Sequence, residues 1–172
     1  MQPGFDLRIR SMLKALSETV LPAIDPVNKA AVEQLHITLG SLALLGEQVD
    51  HAYAFEMADL HEMVGLIAGL PALAGGTAAA TRDVAARAQA LSAGPPVSLA
   101  QVRDINHDLR SAIVDEIEAA YARLDGAAAG ELDRWLLQQS ASQIGRERAF
   151  VAGTGFDVFP DTLRPIGDVL AN

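Results

Sequence analysis

The side chains with the greatest capacity for chemistry in this 172-residue chain are its four histidines and the carboxylates that stand near them. Glu33 and His36 have the Glu-x-x-His spacing that sets two metal ligands on one helix face, as in carboxylate-bridged di-iron bundles. Asp104 and His107 repeat that spacing farther along. A metal centre built from Glu33, His36, Asp104 and His107 requires all four to aim into one core. At about 100° per residue, Asp104 and His107 fall opposite the apolar stripe around Leu109 and Ile113. His36 only flanks its own stripe and Glu33 points away. The four are therefore expected on solvated surfaces, with no metal and no other cofactor.

The run His61-Glu62-Met63-Val64-Gly65 begins like a zinc-protease helix. Gly65 stands where the second histidine is required, and without a histidine pair at i and i+4 there is no chelate. Glu47 and His51 lie one helical turn apart, a spacing that favours the charged imidazole and could make an association pH-sensitive. Gly75-Gly76-Thr77 and Gly153-Thr154-Gly155 are too sparse in glycine and too far from any lysine to cradle a phosphate, and are read as turns. Cysteine is absent, which removes thiolate nucleophiles, disulfides and cysteine-ligated metals. No Gly-x-Ser-x-Gly elbow occurs, and spacing alone assembles no set of nucleophile, base and acid.

The elements that would position these residues are helices. Leu7, Ile9, Leu13, Leu16 and Val20 recur at helical spacing, and Pro22 closes that first segment. Asp25-Pro26 reads as an N-cap with proline at the first helical position. From there to about Gly69 no proline intervenes. The positions Val32, Leu35, Leu39, Leu42, Gly46, Val49, Tyr53, Met57, Leu60, Val64 and Ile67 run in alternating steps of three and four with one slip, predicting one long second helix bent at most near Gly40 and Gly46. Such a helix would reach roughly 65 Å at 1.5 Å per residue, against about 40 Å for a compact domain of this size. Ile37, Leu44, Phe55 and Leu66 lie on its other side. A helix apolar on two sides is sandwiched, and its length favours a subunit interface about a two-fold axis at those four residues.

A turn is expected from Leu70-Pro71 to Gly75-Gly76, followed by an alanine-rich helix from Thr77 to about Leu91. After the stiff Gly94-Pro95-Pro96 loop, Ser98 and Gln101 form a capping-box pattern opening a helix to about Leu124. Its stripe is Leu99, Val102, Leu109, Ile113, Ile117, Ala120 and Leu124. A last helix follows Gly130, through Trp135 and Phe150. The 154–172 segment is expected to be an irregular tail, apolar enough to dock. The prediction is an all-α, up-and-down bundle of about five helices in a single domain over 1–172.

Composition narrows the partners. Half the residues are hydrophobic and the formal net charge is −9, so the chain folds but carries no basic stripe for phosphates. Acidity also disfavours anionic membrane surfaces. No apolar run approaches the ~20 residues of a membrane span, and no apolar leader precedes a cleavage site, so the cytoplasm is the expected compartment.

Met12-Leu13-Lys14-Ala15-Leu16 and Val20-Leu21-Pro22-Ala23-Ile24, followed by a helix with Leu35-His36, resemble the start of a small bacterial helical family. That family is typically encoded beside acyl-CoA dehydrogenases and aminoglycoside-phosphotransferase-like proteins. The resemblance spans about the first 50 residues. Thr38 stands where the family usually has arginine. It implies an accessory role near acyl-CoA or phosphotransfer metabolism and assigns no catalytic residue. The leading expectation is a non-enzymatic interaction protein acting as a homodimer, and the rival is a bundle that binds a metal or an apolar small molecule. Elemental analysis after metal-free purification is expected to find far less than one equivalent of iron, manganese or zinc. Near-stoichiometric metal that disappears in His36→Ala would reverse that ranking.

Overall fold

The computed structural model describes residues 4–70 and 76–171, and among them every regular element is helical. The first helix, α1 (Phe5–Ala15), runs on through a π turn at Leu16–Val20 into a last turn at Leu21–Ala23. The widened turn sits immediately before Pro22, where an ordinary turn would press the pyrrolidine ring against the carbonyl four residues back. Further helices are α2 (Lys29–Gln48), α3 (Ala52–Gly69), α4 (Ala79–Ala93), α5 (Leu99–Tyr121), α6 (Gly126–Phe150) and α7 (Ile166–Leu170). The count among the described residues is thus seven rather than about five. No helix among them is long and apolar enough to cross a membrane. The turn expected at 71–75 lies outside the described residues.

Three expectations about boundaries are corrected. Asp25-Pro26 does not open α2: the Asp25 carboxylate accepts from the Val27 amide at 3.0 Å, closing a local turn, and Asn28 is the N-cap, accepting from Ala31 N–H. The long second helix is two helices, broken at Val49–His51. The His51 N–H turns back to the Gln48 carbonyl at 3.0 Å, while the Gln48 side-chain amide donates to the Phe150 carbonyl, one of the orphan acceptors ending α6. Neither Gly40 nor Gly46 breaks α2. Gly46 instead seats Ile9 of α1, whose Cγ2 would lie 3.3 Å from an added Cβ. Finally, α6 begins at Gly126 and runs through Gly130, because Asp125 accepts from both the Ala127 and Ala128 amides and caps the helix there.

The chain divides into two compact units. The first comprises residues 1–52 and 148–169. Its buried hydrophobic side chains are Ile9, Leu35 and Ala149, a small set for its length. The tail in this unit is more regular than expected, with 3-10 turns at Ala152–Thr154 and Pro160–Thr162 before α7. It lies along a groove of about 530 Å³ bordered by Glu47, His51, Ala149, Pro160, Leu163 and Ile166.

The second unit comprises residues 53–147 and 170–172. Paired contacts show α3 to α6 alternating in direction: His61 meets Ser92, Arg87 meets Asp108, and Tyr121 meets Asp133. Leu60, Met63 and Ile67 of α3 pack with Ala85 and Ala88 of α4 and with Val102, Ile105, Leu109 and Ile113 of α5. The small alanines of α4 allow its backbone to sit close to α5. A second cluster joins Leu70, Ala120 and Leu132, with Trp135 against Gly69, where a Cβ would come within 2.8 Å of the indole. The capping box at Ser98 and Gln101 forms as its pattern implies. Helix α4 has no side-chain cap of its own. Glu116 supplies one from α5, accepting from Ala78 N–H at 2.5 Å and from the Thr81 hydroxyl at 2.8 Å.

The tail is held by a fork of two 2.8 Å hydrogen bonds from Arg148 to the Asp157 carboxylate, which also accepts from Phe159 N–H. Arg148 first, then the Phe159 amide, lowers the Asp157 pKa to about 2. A carboxyl depressed in the folded state contributes stability above its ordinary value of about 3.9 and loses it as pH falls through the folded value. In an NMR titration, the amide signals of residues 154–162 are therefore expected to hold above pH 4 and to shift progressively toward about pH 2. A midpoint at the ordinary carboxyl value would show that Arg148 does not hold the tail.

Candidate functional site

Inside the second unit a ladder of charge crosses three helices. Helix α3 presents Glu56, Asp59 and Glu62 at successive steps of three, so they share one face. Helix α5 answers with Arg103, Asn106 and Arg110, spaced three and four apart. Arg103 donates to Glu56 at 2.9 Å, and the Asn106 amide donates to both the Glu56 carboxylate and its backbone carbonyl at 2.9 Å. Arg110 pairs with Asp59.

Arg146 of α6 completes the ladder. It is 3% exposed, and Asp59 is 2% exposed. Its guanidinium donates to Asp59 at 2.9 Å and grips both oxygens of Glu62 at 2.7 and 2.8 Å. The Ser142 hydroxyl donates to Glu62 at 2.6 Å, and the guanidinium carbon stands 5.6 Å from the Phe55 ring centre. Burial pushes the Glu62 carboxyl upward, but hydrogen bonds from Arg146 and Ser142 together with the Arg146 charge carry it below its usual value. Burial likewise works against charged Arg146, and Glu62 and then Asp59 more than offset it.

Each acid in this ladder has a cationic partner, so no carboxylate is left as a general base. A cleft of about 320 Å³ lies beside it, bordered by Glu62, Ser142 and Gln138, Gln139 and Gln143, with the Ser142 hydroxyl already donating to Glu62. The ladder's physical effect is register. Three acids and three arginines meet only when α3, α5 and α6 are aligned, and a slip would bury a charge alone.

His61 shares a hydrogen bond of 2.6 Å with Ser92. Ser92 sits at the carboxyl end of α4, where the helix dipole opposes a developing oxyanion. Among the described residues no carboxylate orients His61, so the pair acts as a strut between α3 and α4. Glu33, His36, Asp104 and His107 are all exposed, and among the described residues no group of three or more His, Asp or Glu could hold a metal ion. No hydrogen bond or ion pair among the described residues joins Glu47 to His51. Both border the groove along the tail, with Glu47 against Gly153 and His51 against Gly167.

The four expected interface residues have different surroundings. Leu66 packs against the main cluster of the second unit, and Phe55 lies by Arg146. Leu44 is half-buried in the first unit, and Ile37 is 55% exposed. Phe5, Leu7, Val27 and Leu45 of that unit are exposed as well. The second unit exposes apolar side chains too, among them Val114, Leu137 and Ile144.

Sequence reasoning missed Asp59, Asn106, Glu116 and Arg146. Two signals could have found them: the matched spacing of acids at 56, 59 and 62 with Arg103, Asn106 and Arg110, and the position of Asn106 and Glu116 within the apolar stripe of α5. Arg146, surrounded in sequence by Gly145 and Glu147, carries no local mark.

No known protein family, curated protein or solved structure matches this chain.

Removing one partner from a buried ion pair leaves a charge uncompensated and costs about 3–5 kcal/mol. Urea denaturation of Arg146→Met is expected to show a loss of that order, with Arg146→Lys between it and the parent because an ammonium cannot fork between Asp59 and Glu62. A loss for Arg146→Met no larger than a surface pair, ~0.5 kcal/mol, would show that the ladder does not set the register.

Proposed function

We propose that this chain is a non-enzymatic helical interaction protein that acts as a homodimer through the apolar surface of its first unit. The observation that carries the reading is the imbalance within that unit. Ile9, Leu35 and Ala149 are its buried hydrophobic side chains, while Phe5, Leu7, Val27, Ile37 and Leu45 stand exposed and Leu44 is half-buried. Single exposed apolar residues need no explanation, but contiguous apolar surface of several hundred Å² is rarely kept without a partner. The expected interface narrows to Ile37 and Leu44, since Phe55 and Leu66 already have neighbours in their own unit.

The polar chemistry supports the same reading by its closure. The charge ladder spends its acids on its own arginines, and the His61–Ser92 pair has no orienting acid among the described residues and faces the wrong end of a helix. A self-associating accessory protein of a reducing, cytoplasmic compartment suits the cysteine-free composition. It also fits the accessory role that the resemblance of residues 12–36 implies.

Light scattering at tens of micromolar is expected to give twice the 18.1 kDa mass of the chain. Ile37→Glu would bury an unpaired charge in the apolar contact and is expected to yield a monomer with unchanged far-UV circular dichroism. A monomeric parent protein at that concentration would end the homodimer reading.

A further inference from the structure

The tail of the first unit is built inside out. In its 154–159 loop the polar side chains are tied down and the apolar ones are held outward. Arg148 forks onto Asp157, and Asp157 accepts from Phe159 N–H at 2.8 Å. The Thr154 hydroxyl donates to the Val151 carbonyl at 2.7 Å and accepts from Phe156 N–H. Gly155 turns the chain between them at φ 71°, in the left-handed region that glycine enters freely. These bonds fix the backbone of residues 154–159 while leaving Phe156 89%, Val158 80% and Phe159 65% exposed. Hydrophobic collapse would turn such side chains inward. Here hydrogen bonds order the loop with these side chains outside, so docking onto it would cost little conformational entropy.

We propose that this loop is the element of a second copy that covers the Ile37–Leu45 surface of α2, each subunit inserting its Phe156, Val158 and Phe159 against the helix of the other. The inference rests on the homodimer reading and names the contact that makes it. Area selects the occupant. Two phenylalanines and a valine at these exposures offer roughly 400 Å², an aromatic side chain burying about 150–250 Å². A stable interface takes about 800 Å² from each partner, roughly 60% of it apolar, so the loops packed on one another fall short of the roughly 480 Å² of apolar area required. The outer side of α2, with Ile37, Leu44 and Leu45, supplies the apolar area that is missing. Reciprocal seating of loop on helix uses both patches twice and closes under two-fold symmetry. An anionic membrane surface is the poorer occupant for a chain of charge −9.

The chain has no cysteine, so introduced thiols can report the contact without background. Two full-length variants, Ile37→Cys and Phe156→Cys, are mixed and oxidised, with each alone as a control. Because each molecule carries one thiol, every disulfide formed lies between subunits. The mixed species is expected to dominate, with neither variant alone cross-linking efficiently. The double substitution Phe156→Glu with Phe159→Glu is expected to weaken dimerisation at least about 30-fold in sedimentation equilibrium, as loss of a central aromatic anchor does, with helical content unchanged. If the protein dimerises but Ile37→Cys cross-links to itself and the mixture gives no mixed disulfide, the loop is not the occupant, whereas the homodimer reading stands. Unchanged dimerisation of the double variant overturns the loop contact in the same way. A monomeric parent protein overturns both.

Discussion

Arg146 is the point on which the second unit depends. Its guanidinium lies out of water between Asp59 and Glu62 of α3 while its own backbone belongs to α6. Withdrawing an ion from water costs several kcal/mol, and the attraction of its partners offsets that only when the geometry is right. A planar fork with five donors meets this requirement where an ammonium would not. The arrangement adds little net stability compared with well-packed apolar residues, but it penalises every alternative register of α3, α5 and α6. The apolar contacts of this unit, mostly Leu, Ile, Val and Ala, are non-directional. The ladder from Glu56 to Arg146 requires particular partners at particular positions.

The same economy of chemistry bears on function. Acids placed in a bundle can bind metal, move protons or hold a positive ligand, and which of these follows depends on what compensates them. Here the compensation comes from arginine, which does not release its proton and occupies the space a cation would need. Glu116 is similarly committed, to the first turn of α4. On the first unit, the polar groups of the tail hold phenylalanines outward. Exposed apolar groups on an ordered backbone are the usual ingredients of a protein interface.

Some of this was legible along the chain. Alanine and leucine at helical spacing, with no alternating apolar run, specify helices whatever their arrangement. The capping box at Ser98 and Gln101 could be read because both partners are three residues apart, and Asp104 and His107 could be set on a solvated face by wheel arithmetic alone. These are local or periodic properties, and their physical cause lies within a few residues. The break at Val49–His51 was not legible for the opposite reason. The apolar period continues through it, and the hydrogen bond from the Gln48 side chain goes to Phe150, about a hundred residues away.

Sequence by itself determined the helical class, the Ser98–Gln101 cap, the absence of thiol chemistry and the apolar stripe of α5. Only the tertiary structure decided which polar residues are buried. Asn106 and Glu116 sit at stripe positions that hydropathy reads as breaks in pattern, and Arg146 has nothing nearby to distinguish it from the exposed arginines of the chain. A charged side chain is buried when partners from other helices converge on it, and that convergence depends on how helices pack, which no single helix encodes. The tail is the converse case. Its phenylalanines read as docking residues, yet the fork from Arg148 to Asp157 docks the backbone and leaves the rings outside, because oriented hydrogen bonds, unlike apolar burial, fix which way a loop faces.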